Sequence, residues 1–138
     1  MEEHHPLTRG IDHVGLTVAD IDLSRRFFVE CLGWKVVGEK PDYPAVFVSD
    51  DKAVLTLWQV NTEDGFVAFD RRRNIGLHHL ALKVDSEEDL REVFARVSAW
   101  PGVEVEFAPE QVGAGAHRHA MVREPGGARR EFRFSPLA

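Results

Sequence analysis

Two stretches of the chain alternate between aliphatic and polar or small residues with the period of a β-strand. In Gly10-Ile-Asp-His-Val-Gly-Leu-Thr-Val18, Val14, Leu16 and Val18 are separated by His13, Gly15 and Thr17. In Gly76-Leu-His-His-Leu-Ala-Leu-Lys-Val84, Leu80, Leu82 and Val84 share one face, and His79, Ala81 and Lys83 share the other. Side chains alternate along a strand. Each stretch therefore predicts an aliphatic, helix-facing side and an open side that begins with a histidine and continues with small residues. The predicted strands cover roughly 11–18 and 77–84.

After each strand the period changes to that of a helix. Ser86-Glu-Glu-Asp89 has the form of a capping box, and Leu90, Val93, Phe94 and Val97 follow at i, i+3, i+4, i+7. Asp20 caps the earlier helix, with Ile21, Ser24, Phe28 and Cys31 along one stripe. Three shorter strands then follow in each half. The first set is read at 34–39, 45–50 and 53–60, with Ser49-Asp-Asp-Lys52 as a hairpin turn. The second set is read at 103–107, 116–123 and 128–134, with Glu124-Pro-Gly-Gly127 as the turn.

The two halves are copies of one unit. A constant offset of 66 residues carries His13 onto His79, Leu16 onto Leu82, Val18 onto Val84, Phe28 onto Phe94 and Trp34 onto Trp100. The expected fold class is α+β: two βαβββ modules forming a curved mixed sheet around a cleft. Residues 1–138 make one domain, with module one at about 10–60, a linker at 61–75 and module two at about 76–134. Residues 61–74 have no clear period and read as a linker or a loop over the site.

Placed side by side, the modules face His13 and His79 across one concavity. In the last strand Phe132 and Phe134 turn toward the helices, which leaves Glu131 and Arg133 on the concave side. Two imidazoles and one carboxylate make up a facial triad, which keeps coordination positions open. The ligand types suit Fe(II), Mn, Zn, Ni or Co. Each residue taken alone is more often an ordinary core or surface group; their repeat-related placement favours a metal.

Composition narrows the picture. Hydrophobic residues are 43% and charged residues 29%, as in ordinary globular chains. The net charge of -6 argues against non-specific nucleic-acid binding, which leans on a basic surface. It leaves room for a small anion in a local basic pocket. The single cysteine, Cys31, excludes an internal disulfide and reads as a buried helical thiol. No apolar run approaches the roughly 18 residues of a membrane span, and MEEHHPLTRG lacks a signal-peptide core. The expected location is cytoplasmic.

Asp12-His-Val-Gly-Leu-Thr-Val-Ala-Asp20, with Phe28 and Leu32-Gly-Trp34, resembles the opening of vicinal oxygen chelate proteins, the superfamily of glyoxalase, bleomycin-resistance protein and extradiol dioxygenase. Leu77-His-His-Leu-Ala-Leu-Lys-Val84 resembles the start of their second module, and Glu124-Pro-Gly-Gly-Ala-Arg-Arg-Glu131 their closing motif, whose last Glu is a metal ligand. The resemblance implies a glyoxalase-like fold and His13, His79 and Glu131 as ligands of one divalent metal. It implies a homodimer, with His13 sharing the metal either within its chain or with His79 and Glu131 of a partner. Two departures matter. Glyoxalase I draws a second carboxylate from the strand equivalent to Ala53-Val-Leu-Thr-Leu-Trp-Gln-Val60, where no acid stands. Arg130 also occupies a position that is usually aliphatic.

Other residues are candidates with bland alternatives. Thr56 and Trp58 share a face and line the substrate side of the cleft, or Trp58 is core. His119, with His117 nearby, is a candidate general base or a group behind the metal, or else lies at the rim. His78 is turned from the metal by alternation. Arg133 is a candidate for holding a substrate carboxylate or phosphate, or pairs with a surface acid. Arg71, Arg72 and Arg73 steer an anion, or form a solvated loop. The leading expectation is a metal-dependent lyase, isomerase or dioxygenase acting on a small oxygen-chelating substrate. The alternative is a bleomycin-resistance-like protein that sequesters a small aromatic ligand, with Trp58, Phe66 and Phe69 as contacts.

Overall fold

A computed structural model describes residues 3–40, 42 and 44–136. The chain runs β1 (Val14–Val18), α1 (Ile21–Arg26), a single π turn (Phe27–Cys31), β2 (Lys35–Lys40), β3 (Ala45–Ser49) and β4 (Val54–Gln59). After the connecting segment come β5 (Leu80–Val84), α2 (Glu87–Ser98), β6 (Glu104–Gln111), β7 (Arg118–Arg123) and β8 (Arg129–Phe134). Two βαβββ units therefore follow one another. Their strands form two four-stranded mixed sheets of identical plan, β1-β4-β3-β2 and β5-β8-β7-β6. In each, the first strand pairs in parallel with the fourth, and the remaining pairs are antiparallel.

The local signals act as read from the sequence. Asp20 accepts hydrogen bonds from the N–H groups of Asp22 and Leu23, and Ser86 from that of Asp89, so both helices start where the caps lie. Asp50 accepts from Lys52 and Ala53 N–H groups and closes the β3–β4 hairpin, with Asp51 in the left-handed region (φ 74). The first helix differs from a plain α-helix. It widens into the π turn, where Leu32 N–H reaches back to the Phe27 carbonyl and turns both Phe27 and Phe28 into the core. β6 is longer than its predicted 103–107. It accommodates Pro109 because β6 is an edge strand whose register with β7 shifts between Phe107 and Glu110.

The helix-facing sides of both sheets contribute to one core, with Leu16, Phe28, Val48, Leu57, Leu90, Val97, Val122 and Phe132 in a single cluster. The modules are latched where the β7–β8 turn meets α1. Ala19 N–H donates to the Gly126 carbonyl, and the Ser24 hydroxyl donates to the buried Glu124 carboxylate at 3.0 Å. A Cβ at Gly126 would lie 2.1 Å from Ser24 Oγ, so only glycine fits there. Arg130 is fully buried in this seam. Its guanidinium stacks on Phe28 at 5.3 Å and donates once to the Arg129 carbonyl, while Nε and Nη2 find no partner among the described residues. Burial lowers its pKa to about 10, against the opposing pull of Glu124.

No helix among the described residues is long and apolar enough to cross a membrane.

Candidate functional site

β8 carries the centre of the site. Arg130 and Phe132 point into the core, so Glu131 lies on the opposite face, opposite Met121 of β7 and Ala81 of β5. The register is the one its sequence predicts. The Glu131 carboxylate is nearly buried, at 5% exposure. His119 Nδ1 lies 2.5 Å from Oε2, and His79 Nε2 lies 3.6 Å from Oε1. His119 reaches this position from β7, with its ring against Phe107 at 4.7 Å and Glu110 at 3.7 Å from Nε2.

His79 lies just before β5, at the end of the segment that predicts a strand from 77. Because 77–79 are not strand, alternation does not govern them. His78 therefore stands beside His79 and meets its Nδ1, the nitrogen away from Glu131, so backbone geometry before the strand, not strand alternation, sets its place. His78 Nδ1 is 2.8 Å from His79 Nδ1 and 3.0 Å from Arg129 Nη1. Arg129 Nη1 donates to the His78 carbonyl at 3.0 Å; if it also donates to His78 Nδ1, the proton between the two imidazoles would sit on His79 Nδ1. The His79 lone pair is then on Nε2, the nitrogen that faces Glu131. Local burial, followed by the Arg129 charge, pushes the His78 imidazole below its ordinary pKa, consistent with a neutral acceptor.

These donors fit a divalent metal. Two ligands at about 2.1 Å from one ion lie roughly 3.0–3.5 Å apart in octahedral or tetrahedral geometry, near the 3.6 Å between Glu131 Oε1 and His79 Nε2. The outer oxygen and nitrogen of the same two groups are held by His119 and His78.

The third predicted ligand is elsewhere. His13 precedes β1, is 53% exposed, and bonds Asp12 through Nδ1 at 2.7 Å. Among the described residues of one chain, no three histidine, cysteine or acidic side chains converge to hold an ion. Thr56 is buried on β4 and accepts from Trp58 Nε1 at 2.9 Å, close against Gly15. Both sit on the first sheet, across the molecule's seam from Glu131. Arg133 follows Glu131 on β8, where Nε donates to Ser135 at 3.3 Å, and His117 also meets Ser135.

Two groups escaped sequence reasoning. His78 was discounted by a strand period that the backbone does not follow. Arg129 and Glu106 form a two-point ion pair with a shortest contact of 2.7 Å beside His78. Only the β6–β8 juxtaposition reveals it. A cavity of about 570 Å³ borders His79, with Thr17, Arg129 and the half-exposed Phe66 and Phe69 of the connecting segment in its wall.

The comparisons agree with this architecture. The sequence model of the Glyoxalase/Bleomycin resistance protein/Dioxygenase superfamily matches residues 10–132. The fold is similar to a glyoxylase/bleomycin resistance protein/dioxygenase domain from Frankia sp. EAN1pec, at 25% identity and TM-score 0.79, covering 94% of this chain and 99% of that one. It is also similar to a glyoxalase-related enzyme from Fulvimarina pelagi, at 25% identity and TM-score 0.72, covering 95% and 94%. The fosfomycin resistance protein FosX from Listeria monocytogenes shares the fold at 18% identity and TM-score 0.72, covering 95% and 97%. No curated protein matches. With the repeated βαβββ plan and a family match over nearly the whole chain, this protein belongs to the Glyoxalase/Bleomycin resistance protein/Dioxygenase superfamily.

Proposed function

We propose that this protein is a metal-dependent enzyme acting on a small oxygen-chelating substrate, with His79 and Glu131 of one chain and His13 of a second copy as ligands. The observation that carries this reading is the approach of Glu131 Oε1 to His79 Nε2 at 3.6 Å, each group held from behind by another imidazole. A divalent ion held there would act as a Lewis acid toward two adjacent substrate oxygens.

The second copy is argued from the sheets. β1 and β5 are edge strands, each paired on one side only. An unpaired edge is a template for another strand. Joining β1 of one copy in parallel to β5 of another would bring His13 and His79, which precede those strands, to the same end of a continuous eight-stranded sheet. Ile11, Ile75 and Leu77, in the lead-ins to the two strands, are exposed apolar residues in the single chain. Such a homodimer covers them.

The chain's own groups then divide the work. Glu131 and His79 hold the ion. His78 keeps His79 in the tautomer that presents Nε2, and His119 orients Glu131. His119 is also positioned to exchange a proton with a bound substrate through Nε2, the nitrogen that faces Glu110 rather than Glu131. Thr56 and Trp58, presented by the first sheet of the partner copy, wall the substrate. Phe66 and Phe69 give the cavity beside His79 an apolar wall.

Metal content per chain, measured after purification without chelator and after mixing variants, tests the reading. His13→Ala and Glu131→Ala homodimers should each lose the metal. Mixed and re-annealed, they should regain up to one ion per dimer, because one of the two shared sites is then intact. Sites built within a single chain would give none in the mixture, and retention of metal by both variants alone would refute the ligand set.

A further inference from the structure

We propose that Arg71, Arg123 and Arg129 form a binding pocket for an oxyanion, phosphate-like or carboxylate, carried by a small molecule. The inference deepens the reading of the site above, since it assigns an anionic group to the substrate, but the pocket stands on its own geometry.

Three guanidinium groups from three parts of the chain converge on one place. Arg71 comes from the connecting segment, Arg123 from the end of β7 and Arg129 from the start of β8. Together with Phe69, Asp70 and Gly127 they line a cavity of about 340 Å³. Acids accompany them, Glu106 beside all three, Glu104 beside Arg123 and Asp70 in the cavity wall, so the pull on an anion rests on the guanidinium donors that these acids do not engage closely. The groups are not equivalent. Arg129 is only 7% exposed and its donors are committed, to Glu106 through Nε and Nη2 and to His78 through Nη1. It is the fixed wall. Arg71 and Arg123 approach Glu106 only at 3.7 Å each, beyond hydrogen-bond reach, and Arg123 lies 3.6 Å from Glu104. Their donors have no close partner in this cluster, and both line the cavity. Asp70 also lines the cavity, and its carboxylate accepts from the Arg72 N–H at 2.9 Å and lies 3.9 Å from Arg73.

Glu106 shows what the pocket accepts. Its carboxylate sits among all three guanidiniums, and the Arg129 hydrogen bond holds its pKa below the usual carboxylate range. The cluster thus stabilises negative charge, and two of its cations remain only loosely engaged. Forked guanidinium donors suit phosphate and carboxylate oxygens.

The position gives the pocket a purpose. Arg129 precedes Glu131 by two residues on one face of β8, roughly 7 Å along the strand. The arginine cavity also shares Phe69, Arg123, Gly127 and Arg129 with the larger cavity beside His79. A molecule whose chelating oxygens lie at Glu131 and His79 would extend its anionic end into this corner.

The test is titration of the intact protein with inorganic phosphate, and separately with acetate, by calorimetry and by thermal shift at constant ionic strength set with chloride. Wild type should bind phosphate more tightly than the chloride background allows. Arg71→Ala and Arg123→Ala should each weaken it by about tenfold, as expected for loss of a charge-assisted contact. Glu106→Gln should tighten it, because a competing carboxylate is removed; a merely structural role for Glu106 predicts no gain. Stronger binding of acetate than of phosphate would identify a carboxylate as the preferred group. Unchanged phosphate binding in the folded Arg71→Ala/Arg123→Ala variant, or a wild-type response no larger than that to chloride, would overturn the proposal. Glu131→Ala, which tests the metal reading, should leave phosphate binding intact, so the two readings fail separately.

Discussion

The two modules share one plan and carry different chemistry. Both run βαβββ, both sheets follow the same strand order, and both place a histidine just before the first strand. On the open face of the first sheet the central strand presents Thr56 and Trp58, bonded to each other and backed by Gly15. At the equivalent place in the second sheet stands Glu131, flanked by His79 and His119, with the Arg129–Glu106 pair one step away. The aliphatic faces are interchangeable because packing asks only for apolar volume at period two. The open faces diverged because that packing does not constrain them.

The contrast can be broken most severely at its centre. Glu131→Ala should abolish stoichiometric metal, a loss of more than about 100-fold in affinity, whereas Thr56→Ala at the corresponding place should leave metal content unchanged and cost about 1 kcal/mol of stability. Elemental analysis beside denaturant unfolding reads both.

A smaller effect separates ligands from the groups behind them. His119→Ala and His78→Ala should each weaken metal affinity by about 10–100-fold without abolishing it. Competition with a chromogenic chelator measures this, and unchanged affinity in His78→Ala would remove the tautomer argument.

The seam between modules gives a stability prediction. Arg130 is buried, with two nitrogens unpartnered among the described residues. Arg130→Met should therefore stabilise the protein by about 1–3 kcal/mol, since an apolar side chain replaces a poorly compensated charge. A raised Tm supports this. The charge penalty is present at neutral pH and is relieved only as pH rises past the lowered value of about 10.

The smallest expected effect is in acid. Glu106 titrates below its ordinary range when folded, so it stabilises above the ordinary carboxylate pKa and loses that contribution as pH falls through the depressed value. Glu106→Gln should flatten the decline of stability with acid over that window, as read by melting temperature against pH.

The sequence made most of the fold legible through periodicity. The 66-residue offset, the caps at Asp20 and Ser86 and the turns at 49–52 and 124–127 place the elements within a few residues of their observed bounds. Glu131 was legible because Phe132 fixes the face of β8. The contact of His78 with His79 was not legible because the strand begins at Leu80, three residues later than the alternation implies. The lengthening of β6 past Pro109 and the π turn were also missed, since each depends on a compensating distortion that composition does not announce.

Taken by itself, the sequence determined the duplicated plan and the face of β8 on which Glu131 lies, because hydrophobic period and local capping are properties of neighbours along the chain. Tertiary structure alone decided which groups meet. It set Glu131 between His79 and His119, gathered three arginines around Glu106, left His13 apart from both within one chain, and buried Arg130 in the seam. Those contacts join residues at least twelve positions apart, and their distances follow from how the sheets and helices pack.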